Sequence, residues 1–252
     1  MYKELEPYRD EWLQPTDNFP GWHKATTLLQ SLAVSSRSRS VVDIGGGANP
    51  MLSAEFVRSQ SIEYGLIDIS QAELDKAPSH YTSRVCVDVT ARSSDFIAAL
   101  GDRKFDMAFS HMFLEHVKDA RQVHRNIANL LPSGGLAVHM YPSPNNIPLA
   151  LNRVLPETVS AQLLRLAHPG RDIEGKQGKF PAYYRMCGNR SRRLHKVFEE
   201  IGYEVLVQCG FVGHNYYERI SIMDSIARAM VKPLVQLGIG LTSFQLLVLQ
   251  KT

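Results

Sequence analysis

Two stretches of this 252-residue chain put chemically capable side chains where backbone can present them. In Val41-Val42-Asp43-Ile44-Gly45-Gly46-Gly47-Ala48-Asn49-Pro50, an acid and a run of glycines follow an apolar segment. Glycine supplies positive φ and leaves no Cβ to hold a ligand away, and the unpaired N–H groups opening a helix are donors. Such a turn brings backbone against a small polar ligand. Asn49 is the expected N-cap of the following helix and Pro50 its first residue, where a missing N–H costs nothing. The second stretch, Ser110-His111-Met112-Phe113-Leu114-Glu115-His116, carries two imidazoles. These titrate near neutral pH and can take a proton from an attacking hydroxyl, although a structural hydrogen-bonding role is the competing account of both.

Elements able to position these residues follow from periodicity. Strands are expected over 41–44, 63–68, 84–89, 104–110 and 135–141, with helices over 50–59, 71–77, 93–100 and 119–131 between them. That alternation means a parallel sheet with covering helices. Ser70-Gln71-Ala72-Glu73 is a capping box, Asp119 caps the fourth helix, and Pro132 with Gly134-Gly135 ends it. Residues 1–40 read as a separate N-terminal segment whose lid or packing helix, over about 21–34, carries Leu28, Leu29 and Leu32; the Ser/Arg run 35–40 is a solvated connection. Residues 41–252 form the main domain, with an insertion at about 142–187 begun by Pro142, Pro144, Asn145, Asn146 and Pro148. Leu194, Val197, Phe198 and Ile201 then mark a helix stopped by Gly202, followed by a strand at 203–211, an amphipathic helical region at 219–237 and a last strand at 242–250. The apolar face of 219–237, with Ile222, Met223, Ile226, Met230, Leu234 and Leu237, is expected to pack on the sheet; contact with a membrane surface or a second copy is the less favoured reading.

The spacing Asp43-x-Gly45-x-Gly47 puts the acid before the glycines and resembles the first motif of class I S-adenosylmethionine-dependent methyltransferases, with Asn49 at the third glycine position. The segment from Phe105 to Val117 resembles the post-strand motif of that superfamily's small-molecule branch. The likeness covers about residues 40–141 by motif and 190–252 by order of elements; the insertion is unmatched. It implies an α/β, Rossmann-like, mostly parallel seven-stranded sheet with helices on both faces, an antiparallel last strand and a cap inserted after the fifth strand. It also implies S-adenosyl-L-methionine as cofactor. Gly45, Gly46 and Gly47 would lie against its amino-acid end, the Asp43 carboxylate near its ammonium, and Asp68, with Ile69 beside it, on the ribose diol. Asp88 and Val89 would meet the adenine, while Ser110, His111 and Phe113 line the cofactor. Glu115-His116 falls at the lip facing substrate, so His116 is the first candidate for a general base and His111 the second. Tyr141, Tyr183, Tyr184 and Arg185, together with His116, are the expected acceptor contacts, and His168, Arg171, Lys176 and Lys179 add cations to the insertion. No metal is expected.

Composition narrows the partners. With 44% apolar residues the chain can bury a sizeable core, and 28 basic against 25 acidic residues give only +3, too mild to argue for nucleic acid. The cysteines Cys86, Cys187 and Cys209 are widely spaced and form no C-x-x-C pair. The start of the chain lacks the apolar core of a signal peptide, and charges interrupt the most apolar stretch, 226–249. A cytoplasmic methyltransferase acting on a small polar, sugar-like or secondary-metabolite acceptor, at oxygen, is the expected function; N- and C-methylation stay open. An NAD(P)-dependent oxidoreductase on a similar sheet and a non-catalytic, methyltransferase-like binding protein are the alternatives. The acid ahead of the glycines and the Ser110–His116 run weigh against the former.

Overall fold

Alternation of apolar residues along each strand assigns them to two faces, and both are covered in the computed structural model, which describes residues 2–79, 81, 83–146, 181–219 and 221–252. The strands are β1 (Leu13–Pro15), β2 (Ser40–Ile44), β3 (Glu63–Asp68), β4 (Ser83–Cys86), β5 (Met107–His111), β6 (Leu136–Pro142), β7 (Tyr203–Val212) and β8 (Thr242–Lys251), in the spatial order β1-β7-β8-β6-β5-β2-β3-β4. All neighbours are parallel except β8, which runs antiparallel to both β6 and β7. The chain moves outward from β2 through β3 to β4, then returns to the other side of β2 for β5 and β6. This reversal leaves a crevice above the carboxyl ends of β2 and β5, where open α/β sheets take their ligands.

Helices α1 (Glu6–Arg9), α2 (Pro20–His23), α3 (Ala25–Ser35), α4 (Ala54–Ser59) and α5 (Gln71–Lys76) come first, followed by α6 (Ser93–Leu100), α7 (Ala120–Leu130), α8 (Arg192–Ile201) and α9 (Ser221–Gln236). Leu28, Leu29 and Leu32 of α3 pack with Val41, Leu66 and Phe109 on one face of the sheet. Phe96 of α6, Val123 and Ile127 of α7 and Phe198 of α8 pack with Val42, Ile67 and Ala108 on the other. The caps are those the sequence implies: Ser70 accepts from Glu73 N–H, Asp119 from Gln122 N–H, and Gly202 closes α8 at φ 96°.

Four expectations change. The sheet has eight strands, because Leu13–Pro15 adds an edge strand beside Gly210–Val212. The helix after β2 begins at Ala54 with Ser53 as its cap, so Asn49 and Pro50 lie in the preceding turn. The third expected strand ends at Cys86, before Asp88. Finally, α9 docks through half-buried Ala227, Val231, Leu234 and Val235, leaving Ile222, Met223, Ile226 and Met230 of its apolar face exposed. Most of the expected insertion, residues 147–180 with His168, Arg171, Lys176 and Lys179, lies outside the described residues. Among the described residues no helix is long and apolar enough to cross a membrane.

The second face holds two fully buried imidazoles, His124 and His139, packed edge to face at 5.2 Å. Burial lowers His124 to about 3 and drives His139 well below the ordinary histidine range, so both are neutral. An unfolded histidine takes up a proton near its usual value of 6.5, whereas folded His124 takes one only at about 3. Its stabilising contribution is therefore complete above the unfolded value and is lost as pH falls toward the folded one. Urea unfolding should show the stability of wild type relative to His124→Leu falling by about 2 kcal/mol between about pH 7.5 and pH 5, a comparison that cancels opposing contributions from buried acids. A difference that stays constant with pH would mean the ring is not held neutral by the core.

Candidate active site

The turn after β2 is shaped by a buried acid. Asp43, 2% exposed, receives hydrogen bonds at Oδ2 from Tyr64 Oη (2.9 Å) and from the Met51 amide (3.2 Å). Burial pushes its carboxyl up to about 7, against the lowering effect of those two donors. Gly45 and Gly47 take φ of 77° and 42°, and Asn49 N–H closes a turn onto Gly46 carbonyl at 2.9 Å. Side chains are excluded by proximity as well as by backbone conformation. A Cβ on Gly45 would meet the Phe113 ring at 2.5 Å, one on Gly46 the Asp43 carboxyl at 2.6 Å, and one on Gly47 the Asp68 Oδ2 at 3.0 Å. The Met51 amide is held by Asp43, and the helix begins only at Ala54.

Asp68 and Gly47 are thus brought together. The Asp68 carboxylate is held by Ser70 N–H on Oδ1 (2.8 Å) while Oδ2 faces the glycine turn. Ile69 beside it is 70% exposed, an apolar side chain standing at the rim. Asp88 is exposed and folds back on its own loop, its Oδ1 accepting from the Thr90 amide and hydroxyl, both at 2.7 Å. Val89 points away from the crevice into the core with Phe96 and Val123, and its carbonyl accepts from Asn126 Nδ2 at 2.8 Å. Only the backbone around Val89 faces the loop.

After β5 the side chains divide between two tasks. Ser110 Oγ lies 2.8 Å from His139 Nδ1 inside the core, so its hydroxyl is turned from the crevice. His111 Nε2 is 2.7 Å from the Gly21 carbonyl; a carbonyl only accepts, so this nitrogen carries the proton and ties β5 to α2. Met112 then turns through φ 51°, and Phe113 lays its ring on Gly45. In the 3₁₀ turn Leu114–His116, Glu115 is 3% exposed and His116 about a third exposed. The Glu115 carbonyl accepts from the amides of Tyr183 (2.7 Å) and Tyr184 (3.1 Å), and His116 Nδ1 lies 3.0 Å from the Pro181 carbonyl. His116, Tyr183 and Tyr184 therefore do assemble at one lip, with Lys118 Nζ 5.7 Å from the centre of the Tyr183 ring. Tyr141 is fully buried behind them, and Arg185 is exposed.

Sequence alone passes over Tyr64 and places Glu115 at the lip rather than in the core. Tyr64 is a single aromatic in the otherwise small and aliphatic end of β3, a faint signal that it reaches a buried partner. Glu115 looked like a lip residue, yet burial raises its carboxyl to about 8. Its place between Leu114 and Val117, both buried, was the available hint. Because Asp43 is largely ionised only above about 7, Tyr64→Phe should cost about 1–3 kcal/mol at alkaline pH, and less at about pH 6, by urea unfolding. An equal loss at both pH values would mean that the phenol does not serve the carboxylate.

No curated protein matches the chain in sequence. Among solved structures it is similar to an S-adenosylmethionine-dependent methyltransferase from Archaeoglobus fulgidus, with TM-score 0.51 and 15% identity over 92% of this chain and 97% of that one. It is similar to another from Clostridium acetobutylicum, with TM-score 0.51 and 12% identity over 93% and 92%. A third likeness, TM-score 0.52 at 11% identity over 86% of this chain and 49% of the other, is to PKMT2 from Rickettsia typhi, solved in complex with S-adenosylhomocysteine. These likenesses show a shared fold. A family model described as a methyltransferase domain matches residues 20–208, spanning the glycine turn, the strand-end acids and the lip. The chain belongs to that methyltransferase-domain family, and with it to the class I S-adenosylmethionine-dependent methyltransferases.

Proposed function

We propose that this enzyme transfers the methyl group of S-adenosylmethionine to a hydroxyl of a small polar acceptor in the cytoplasm. The cofactor supplies a methyl group already activated by its sulfonium, so the chain's work is to hold, align and dehydrate. The residues present suit that cofactor: a turn of left-handed glycines that no Cβ could enter, and an orientated strand-end carboxylate beside it. Gly45, Gly46 and Gly47 would take the amino-acid end with Asp43 beneath them, Asp68 the ribose hydroxyls, and Ile69, Asp88 and the backbone at Val89 the adenine. Phe113 and the backbone of Ser110 and His111 close the near wall. The free thiols Cys86, Cys187 and Cys209 suit a reducing compartment.

The observation that carries oxygen as the target is the tautomer of His116. Because Pro181 presents a carbonyl, Nδ1 holds the proton and Nε2 is the lone-pair atom, the form a general base requires. Nε2 lies 3.5 Å from Glu115 Oε1, and because burial keeps that carboxyl neutral, the imidazole itself holds the proton it takes from the acceptor. His111, committed to Gly21, serves as a tie between the lip and the N-terminal segment.

Asp68→Ala should weaken S-adenosylhomocysteine binding by about 1–3 kcal/mol, the scale of charged hydrogen bonds, without unfolding the protein; unchanged affinity by calorimetry would remove Asp68 from the cofactor site. His116→Ala should lower labelled-methyl transfer from S-adenosylmethionine into a metabolite extract by about a hundredfold or more, the usual scale of a general base. Cofactor affinity should change little. Transfer at the wild-type rate would refute the base assignment.

A further inference from the structure

Among the described residues, Glu115 Oε2, Tyr141 Oη and Gln245 Oε1 are buried and have no hydrogen-bond partner. They are neighbours. Tyr141 and Gln245 face each other directly across the β6–β8 ladder, so their side chains share one face of the sheet. The Glu115 carboxyl is close enough to the Tyr141 hydroxyl to act on it electrostatically, as is Cys187. Natural folds satisfy nearly all buried polar atoms, and a cluster of exceptions drawn from three elements calls for a ligand or a function.

The orientation of each group can be assigned. Asn189 Nδ2 donates to the Gly240 carbonyl at 2.6 Å, which turns Asn189 Oδ1 toward Gln245. Gln245 must therefore present its NH₂ there, at 2.8 Å, and to Thr242 Oγ1 at 3.0 Å, leaving Oε1 as an acceptor. Gly210 lies opposite Gln245 on β7, and a Cβ there would meet Gln245 Nε2 at 2.9 Å, so the amide rests on bare backbone. Tyr141 offers an O–H donor. Burial keeps the Glu115 carboxyl protonated at neutral pH, making it a second donor.

The chain returning from the insertion covers these groups. It is hung on the amides of Tyr183 and Tyr184, which donate to the Glu115 carbonyl, on Cys187 N–H, which donates to the Tyr184 carbonyl, and on Asn189. His116 is tied to the same segment at Pro181, which sets the proposed base beside these groups.

We propose that Glu115, Tyr141 and Gln245 form a concealed recognition subsite, roofed by residues 181–189, for a neutral hydroxyl-bearing part of the acceptor such as a sugar or polyol edge. Among the described residues the groups bonded to the row, Asn189 and Thr242, are also uncharged, so a phosphate here would be buried beside an acid with no cation bonded to the row. The subsite rests on the methyltransferase reading above and narrows its small polar acceptor to an uncharged one.

Full-length enzyme saturated with S-adenosylhomocysteine should be titrated, by saturation-transfer NMR, with methyl glycosides of glucose, galactose, mannose and rhamnose and with the corresponding hexose phosphates. At least one glycoside should bind saturably and more tightly than any phosphate. Tyr141→Phe, which deletes only an unpartnered hydroxyl, and Glu115→Leu should each weaken that binding at least fivefold, while Glu115→Gln restores it to within twofold; S-adenosylhomocysteine affinity should stay within twofold throughout. Absence of glycoside binding, preference for phosphates, or indifference to Tyr141→Phe would overturn the subsite. Failure of wild type to bind S-adenosylhomocysteine would instead overturn the cofactor assignment on which it stands.

Discussion

A carboxyl group buried at the end of β2 holds the site in shape. Asp43 sits beneath the glycine turn and draws the Met51 amide and the Tyr64 hydroxyl onto one oxygen, which joins β2, β3 and the approach to α4. Removing a carboxyl from water is costly, as its rise to about 7 records, and the two donors return part of that cost. The turn they stabilise has no room for a Cβ at Gly45, Gly46 or Gly47. Glycine is required there by contact with Phe113, Asp43 and Asp68 as much as by φ.

The sheet order converts this local turn into a site. Because β2 lies where the winding reverses, the glycine turn, the Asp68 carboxylate after β3 and the Phe113–His116 lip after β5 converge on one crevice although more than one helix separates them in sequence. The other half of the sheet, β6, β8 and β7, carries a different chemistry at its carboxyl end. There Asn146 bonds Ser243 and Gln245 bonds Asn189, with the buried Glu115 carboxyl and the Tyr141 phenol beside them. The glycine turn with its strand-end acid on one side and uncharged hydrogen bonding on the other flank the lip that carries His116.

What could be read from the sequence was local. Positive φ at Gly45 and Gly47, the Ser70 and Asp119 caps and the Gly202 stop depend on neighbours within a few residues, and the pattern of strands and helices is the sum of such choices. Long-range competition decided the rest. Asn49-Pro50 has the look of a helix start, but the Met51 amide is held by Asp43 and the helix begins at Ala54. Leu13–Pro15 carries no strand pattern of its own and becomes one only because Gly210–Val212 presents an open edge. The apolar stripe of α9 was legible as a stripe, yet periodicity cannot say which face the fold covers, and the structure exposes much of it. Ser110 was rightly placed at the end of β5, but a buried imidazole across the ladder turns its hydroxyl inward.

A crystal structure with S-adenosylhomocysteine tests the central claim most directly. The account predicts the amino-acid end of the product on Gly45–Gly47 above Asp43, the ribose hydroxyls on Asp68, and the sulfur facing His116. Product lodged elsewhere, or a nicotinamide dinucleotide occupying that crevice in its place, would contradict it.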